Sequence, residues 1–215
     1  MPVSDPSHLG ALGREIVKRP RVTPLSDAYF HLRRPVAAIG PTASGKPWSY
    51  ADVGATATSP PAGWTVDEEE AVLGHGAATF GRARDAIRGW RMFDLPWLHL
   101  LSRPEPAPGV EVAFGSWQLG VWALNQCRVV YVIDEDTPER ARFGFAYGTL
   151  AAHAVAGEER FLATWDQRTD VVRFGIYKFS KLRHPLVRLV APLARHLQRR
   201  FTTEAIAALA AAVRA

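Results

Sequence analysis

Apolar residues recur along this chain at two different spacings, and the change between them predicts most of its elements. From about residue 110 to residue 179, aromatic and β-branched residues alternate with polar ones, which is typical of half-buried strands. Towards the C-terminus the apolar spacing becomes three and four, which is typical of an amphipathic helix. The chain is therefore expected to pack a sheet against a terminal helix.

The predicted strands lie on both sides of a proline-rich loop. After the loop they are 110–114, 117–123, 126–133, 142–148, 158–165 and 170–179. Before it, we expect a strand at 64–73, a helix at 77–90 and a second short helix at 95–101. Alternation predicts that Phe143, Phe145 and Tyr147 share one face of their strand, as do Val172, Phe174 and Ile176 on theirs. Short turn-like connections at 134–138 and 166–169 favour an antiparallel up-and-down sheet.

The terminal helix is predicted over residues 185–213 and carries two patterned faces. The apolar face, expected to be buried against the sheet, consists of Leu186, Val190, Leu193, Leu197 and Phe201. Arg188, Arg195 and Arg199 are predicted to form a basic stripe on the outer side. Such a stripe suits an acidic partner or an anionic membrane surface. A simply solvated helix face is the alternative that we favour.

Frequent prolines divide the chain into a predicted extension, residues 1–61, and a folded domain, residues 62–215. Ser26 is a candidate cap for a short helix at 27–33. The segment 40–46 matches a phosphate-binding loop up to its last position. Pro47 stands where that loop needs a magnesium-binding hydroxyl, so we interpret the segment as a proline-bounded turn.

Composition excludes several classes of protein. The 215 residues, 47% of them hydrophobic and 22% charged, are typical of a globular chain. The single cysteine, Cys127, excludes an internal disulfide and a multi-cysteine zinc site, and we interpret it as a core residue. With no apolar leader and no bilayer-length apolar run, a cytoplasmic location is expected. Despite a net charge of +5, no motif indicates nucleic acid, and no cofactor or metal is expected.

The order of the elements resembles the helix-grip fold of the major birch-pollen allergen, START domains and polyketide cyclases. This resemblance implies an α+β fold in which a curved antiparallel sheet wraps a long C-terminal helix, with two short helices after the first strand. It also implies a largely apolar cavity between the sheet and that helix.

A second resemblance rests on particular residues. The motifs are Tyr-Ala-Asp-Val-Gly-Ala-Thr at 50–56, Asn-Gln-Cys-Arg-Val at 125–129, Tyr-Gly-Thr-Leu at 147–150, Gly-Glu-Glu-Arg-Phe at 157–161 and Phe-Ser at 179–180. They resemble the bacterial and plant family known as domain of unknown function nineteen-ninety, which has no established activity. The chain departs from the family pattern at Lys181-Leu182, where members often have Arg-Pro, and at Ala151, where a proline is usual.

The loop between the strands around residues 147 and 159 is the candidate site. Its acid–base candidates are His153, Glu158, Glu159 and Tyr147, since a histidine and a carboxylate within reach can share a proton. The alternative that we favour is a structural hairpin. In it a glutamate pairs with Arg160 or Arg128, the Thr149 hydroxyl bonds the loop backbone and His153 is solvated.

Further candidates would contact a ligand in the implied cavity. Asn125 and Arg128 are potential polar anchors, Thr149 belongs to the same loop, and Trp122 and Trp165 would line or fill the cavity. Three functions follow. The leading one is binding of a hydrophobic or amphipathic small molecule, such as a lipid or isoprenoid. The alternatives are a hydrolase or isomerase using His153 with Glu158 or Glu159, and an interaction module using the basic helix face.

Overall fold

The computed structural model describes residues 30–32, 34, 45–118, 120–151, 153 and 155–215. The strands are β1 (Phe30–His31), β2 (Thr65–His75), β3 (Leu98–Leu100), β4 (Glu111–Gln118), β5 (Val121–Asp136), β6 (Arg140–Thr149), β7 (Val155–Asp166) and β8 (Val171–Leu182). The helices are α1 (Gly76–Arg88), α2 (Pro185–Leu189) and α3 (Ala191–Arg214), with 3-10 turns at Ala55–Ala57 and Arg91–Phe93.

The strands form one sheet in the order β2-β8-β7-β6-β5-β4-β3, and β1 adds to β5. Every neighbouring pair is antiparallel, and the chain runs up and down from β3 to β8. The first long strand, β2, closes the far edge by pairing with β8. This topology, with α3 on one face, confirms the predicted α+β helix-grip architecture.

The sheet is curved, and its concave side holds the main core. Register shifts at Val72/Gly74 in β2 and at Val129/Tyr131 in β5 mark bulges, which bend strands. The predicted inner faces of β6 and β8 are confirmed, since Phe143, Phe145, Phe174 and Ile176 are all buried in this core. Their neighbours from the helices are Ala83, Ile87, Ala205, Leu209 and Val213.

Two predictions about short elements are wrong. The predicted breaks near residues 115 and 125 do not occur, because Gly115 and Asn125 are paired inside the β4–β5 ladder, opposite Leu124 and Phe114. The hairpin turns instead between Gln118 and Val121. The helix predicted at 95–101 is also absent. Its residues Leu98–Leu100 form β3, because an extended backbone there can hydrogen-bond to the N–H and C=O groups on the free edge of β4.

The terminal helix is confirmed but is not continuous. It breaks at Val190 into α2 and α3. Pro192 explains the break, because its ring has no N–H and would clash with the carbonyl of Arg188 in a straight helix. The core contacts of α3 come from a later stripe than the predicted one, formed by Thr202, Ala205, Leu209 and Val213. The predicted stripe borders a cavity instead, and the Leu186 side chain lies outside the described residues.

The predicted basic stripe is interrupted. Arg188 and Arg199 are exposed. Arg195 is partly buried, because its guanidinium donates to Thr65 Oγ1 at 2.9 Å and to Ser180 Oγ at 2.8 Å. The three arginines therefore do not form one solvent-facing row.

The N-terminal region is described only in part. The phosphate-loop-like segment up to residue 44 and most of the helix predicted at 27–33 lie outside the described residues, and Phe30–His31 within that helix is a strand. Residues 48–57 pack on the convex face of the sheet, where Tyr50 and Thr56 are buried. The division at residue 61 remains a prediction. No helix in the part of the chain that the structure describes is long and apolar enough to cross a membrane.

Candidate ligand-binding cavity

A cavity of about 360 Å³ lies between the concave face of the sheet and the helices α2 and α3. Its helix side is formed by Val187, Val190, Leu193, Ala194, Leu197 and Phe201, and its sheet side includes Phe114, Val121 and Ala123. Small residues leave this space open. Ala194 on α3 and Ala123 on β5 stand where larger side chains would fill the gap.

One polar cluster interrupts this apolar lining. Tyr147, Glu159 and Lys178 occupy directly paired positions on β6, β7 and β8. Because paired residues of neighbouring strands project to the same face, the three side chains lie side by side on the cavity wall. The cluster is therefore a direct product of strand register.

The hydrogen bonds of the cluster leave one acceptor without a donor. The Tyr147 hydroxyl donates to Glu159 Oε2 at 2.7 Å. Lys178 Nζ donates to Thr202 Oγ1 and, at 3.2 Å, to the carbonyl of Gln198. Glu159 Oε1 lies 3.7 Å from Lys178 Nζ, beyond hydrogen-bond distance. This oxygen is buried and accepts no hydrogen bond from the described residues.

The cluster holds opposite charges and a protonated phenol. Burial and the adjacent Glu159 carboxylate raise the pKa of Tyr147 well above its ordinary value, so the phenol acts as a donor. Burial also raises the pKa of Cys127, which keeps its thiol protonated and unreactive. The carboxylate of Glu159 and the ammonium of Lys178 face each other across an ion-pair distance of 3.7 Å, so their charges offset one another.

His153 borders the cavity without joining this cluster. Its Nδ1 accepts a hydrogen bond from the Val155 N–H at 3.0 Å, which assigns the ring proton to Nε2. Burial lowers the pKa of His153 to about 4, so the ring is neutral at pH 7. Within the described residues it has no hydrogen bond to Glu158 or Glu159, and no group of three potential metal ligands lies together.

The side chain of Glu158 points to the opposite face from that of Glu159. Its Oε2 accepts from the Tyr50 hydroxyl at 2.6 Å and from the Gly54 N–H at 2.7 Å. Its Oε1 accepts from the Thr56 N–H at 3.0 Å and from the Thr56 hydroxyl. Glu158 therefore holds residues 48–57 on the convex face. Gly148 makes room for this contact, because a Cβ there would lie 2.0 Å from the Tyr50 hydroxyl oxygen.

The remaining predicted residues divide between the cavity and other positions. Asn125 borders the cavity, and its Nδ2 donates to the carbonyl of Ala123 at 3.2 Å. Thr149 also borders it, with Oγ1 donating to the carbonyl of Gly157 at 3.1 Å, as the structural alternative predicted. Six of the nine predicted site residues thus border the cavity, namely Asn125, Tyr147, Thr149, His153, Glu158 and Glu159, but the carboxylate of Glu158 is turned away from it to the convex face.

Arg128, Trp122 and Trp165 do not line the cavity. Arg128 lies on the convex side of β5, because it is one position out of phase with Asn125 and Cys127, and its guanidinium binds Glu111 at 2.7 Å. Trp122 packs against Trp117 with ring centroids 5.4 Å apart. Trp165 stacks on Phe80 with centroids 6.3 Å apart.

Lys178 is the member of the polar cluster that sequence analysis missed. The signal was present in the alternation of β8, where Val172, Phe174 and Ile176 occupy alternate positions and are all buried. Extending that alternation by one step places a lysine among buried apolar residues. A charged residue at such a position is rarely buried without a partner or a function.

Comparison with known proteins identifies relatives without an assigned activity. Residues 49–208 match the family described as "Domain of unknown function (DUF1990)". A "UPF0548 protein" of Dictyostelium discoideum is 33% identical over 147 residues, which cover 65% of this chain and 68% of the relative. A "UPF0548 protein" of Deinococcus radiodurans is 36% identical over 165 residues, which cover 71% of this chain and 80% of the relative.

Solved structures of low sequence identity are also similar to this chain. Ara h 8.0201 gives a TM-score of 0.45 at 12% identity, covering 70% of this chain and 98% of its own. Norcoclaurine synthase from Thalictrum flavum, in complex with dopamine and hydroxybenzaldehyde, gives a TM-score of 0.40 at 12% identity, covering 70% of this chain and 84% of its own.

Proposed function

Because this chain belongs to the DUF1990 family, whose description assigns no activity, we propose its function from its own cavity. The protein binds an amphipathic small molecule, lipid- or isoprenoid-like, between the sheet and the C-terminal helices. The observation that carries this proposal is an apolar cavity of about 360 Å³ with one polar cluster in its wall. Small-molecule sites typically combine an apolar lining with a few convergent polar groups.

The apolar lining predicts how affinity depends on the length of the ligand's apolar chain. Burying one methylene group contributes about 0.8 kcal/mol, so each two-carbon extension of a linear ligand should tighten binding about tenfold. The volume lies near the lower end of the usual range for ligand pockets, roughly 300–1,000 Å³. Affinity should therefore stop rising once a single chain fills the space.

The polar cluster predicts the ligand's head group. Since Lys178 and Glu159 offset each other's charge, an ionic head group would find no unpaired counter-ion there. A small shift of either side chain would let a ligand hydroxyl donate to Glu159 Oε1 and accept from Lys178 Nζ. We therefore favour an alcohol over a carboxylate or an amine.

The experiment uses a cavity-filling variant and a matched control on the same helix. Ala194→Phe places a ring in the cavity, whereas Ala207→Phe places the same ring on the exposed side of α3. Displacement of Nile red by 1-decanol measures binding. We expect parent-like affinity for Ala207→Phe and a loss of at least about tenfold for Ala194→Phe. Equal affinity in both variants, or no saturable binding to the parent protein, would contradict the proposal.

An acid–base enzyme is the second candidate function. It is favoured by the contact between the Tyr147 hydroxyl and Glu159 Oε2, 2.7 Å apart, inside an apolar cavity. A phenol can polarise a carbonyl oxygen while a carboxylate removes an adjacent proton. The test is deuterium incorporation next to the carbonyl of 2-decanone in heavy water, followed by mass spectrometry. Exchange that is faster than the spontaneous rate and lost in Glu159→Gln would support it, and spontaneous exchange alone would exclude it for this substrate class.

A further inference from the structure

The α2–α3 junction at the edge of the cavity exposes large apolar side chains. Val190 lines the cavity and is 44% exposed, and the adjacent Leu189 is 81% exposed. Across the cavity, Gln118 and Val121 of the β4–β5 hairpin also line it, whereas Trp117 packs on Trp122 on the other face of the hairpin. Single exposed apolar residues are common, but two adjacent ones at the edge of an apolar cavity indicate a binding surface.

The charge around this opening has one sign. Residues 181–203 contain no aspartate or glutamate, and residues 115–124 contain no charged residue. Lys181, Arg183 and Arg188 are exposed beside the junction. Within the described part of the chain, the Arg188 guanidinium makes no ion pair. The opening therefore combines exposed apolar side chains with flanking cations.

We infer that the protein docks on an anionic membrane surface through this opening. The docking surface consists of Leu189 and Val190 with Lys181, Arg183 and Arg188. Exposed apolar side chains enter the boundary between headgroups and acyl chains, and cations bind the anionic headgroups. An acidic soluble protein would satisfy the cations but would not require Leu189, so a membrane fits the patch better.

Docking at this point would serve the cavity directly. An apolar ligand could pass between the bilayer and the space below Val190 without crossing water, which avoids the unfavourable hydration of its apolar body. This transfer role rests on the proposed function, whereas the docking itself does not. The two are therefore measured separately.

The test uses two substitutions in the docking surface with matched controls elsewhere. Arg188→Gln is compared with Arg168→Gln, which removes an exposed cation from the β7–β8 turn at the other end of the sheet. Leu189→Ser is compared with Val72→Ser, which changes an exposed apolar residue on the edge strand β2. Co-sedimentation is measured with phosphatidylcholine vesicles that contain or lack phosphatidylserine.

We expect binding only to vesicles with phosphatidylserine, and weaker binding at higher salt. Arg188→Gln should weaken it about fivefold, from roughly 1 kcal/mol per cation at such a surface. Leu189→Ser should weaken it about tenfold through lost apolar burial. The two controls should bind like the parent protein. Vesicle binding that ignores phosphatidylserine, or equal losses in the variants and their controls, would overturn the inference.

Two further measurements separate the alternatives. Neither Arg188 nor Leu189 lines the cavity. In both variants, 1-decanol should therefore displace Nile red as it does in the parent protein. Normal vesicle docking without any 1-decanol binding would reject the proposed function and leave docking intact. Tight binding to polyglutamate that survives Leu189→Ser, without vesicle binding, would identify an acidic polypeptide as the partner and overturn the membrane assignment.

Discussion

Replacing Glu158 with glutamine tests whether this residue holds the N-terminal segment or serves the cavity. Its two carboxylate oxygens accept four hydrogen bonds from Tyr50, Gly54 and Thr56. All four donors lie on residues more than 100 positions before it in the chain. With four hydrogen bonds, the carboxylate is therefore a central polar link between residues 48–57 and the sheet.

The expected loss of stability follows from the number of donors at each oxygen. Glutamine keeps the shape of the side chain but turns one oxygen into an NH2 group, which cannot accept. Whichever oxygen is replaced, one backbone N–H, that of Gly54 or of Thr56, then faces the NH2 group in a site that is 2% exposed. The hydroxyl at the same oxygen can turn and accept from the NH2 group instead. A buried donor left without an acceptor costs about 1–3 kcal/mol. The loss is therefore about 2 kcal/mol, which lowers Tm by roughly 4–8 °C for a protein of this size.

Urea unfolding and thermal melting at pH 7 measure this loss, with Glu135→Gln as the control. The Glu135 carboxylate is also held by a side chain, that of Arg142, but it is 43% exposed, so its replacement should cost less than about 1 kcal/mol. Chymotrypsin cleavage after Tyr50 should become faster in Glu158→Gln alone. Affinity for 1-decanol should stay at the parent value. A melting temperature equal to that of the parent, or a selective loss of 1-decanol binding, would refute this account of Glu158.

Two more predictions concern groups on the cavity wall. The pKa of His153 is about 4 in the folded protein against 6.5 for an ordinary histidine, so the unfolded chain binds more protons between these values. The unfolding free energy should be constant above about pH 6.5 and fall by about 1 kcal/mol per pH unit as the pH drops towards 4. Urea titrations at several pH values should show this slope for the parent protein but not for His153→Asn. An identical slope in both proteins would contradict the assignment of the slope to His153. The double variant Lys178→Met with Glu159→Gln removes both charges without stranding one, and should weaken 1-decanol about tenfold while leaving decane unchanged in the Nile red assay. Equal changes for both ligands would show that the cluster does not contact the head group.

Strand alternation predicted the sheet and most of its faces, because one side of each strand packs on the core. It placed Phe143, Phe145 and Tyr147 together, and all three are buried. Alternation applied across β5 would also have separated Arg128 from Asn125, since residues three apart on a strand face opposite ways. The break before α3 was readable from Pro192.

Other features depend on partners that are distant in the chain. Gly115 resembles a turn residue, and only its pairing with Leu124 shows that it lies within a strand. Leu98–Leu100 is too short and apolar to classify alone, and its strand conformation comes from the free edge of β4. Glu158 and Glu159 are identical neighbours in sequence. Their different surroundings are set by the convex segment around Tyr50 and by Lys178 on the concave side.

The cluster of Tyr147, Glu159 and Lys178 is hard to explain by stability alone. Placing a carboxylate and an ammonium in an apolar wall removes both from water, and apolar residues of similar volume usually stabilise such a site as well or better. The gap of 3.7 Å between Nζ and Oε1 weakens the pair further, and Oε1 is buried without a hydrogen bond from the described residues. The convex side shows that this chain can satisfy a buried carboxylate fully, since Glu158 accepts four bonds one position away. A cluster left incomplete beside an open apolar cavity is best explained by a ligand group that completes it.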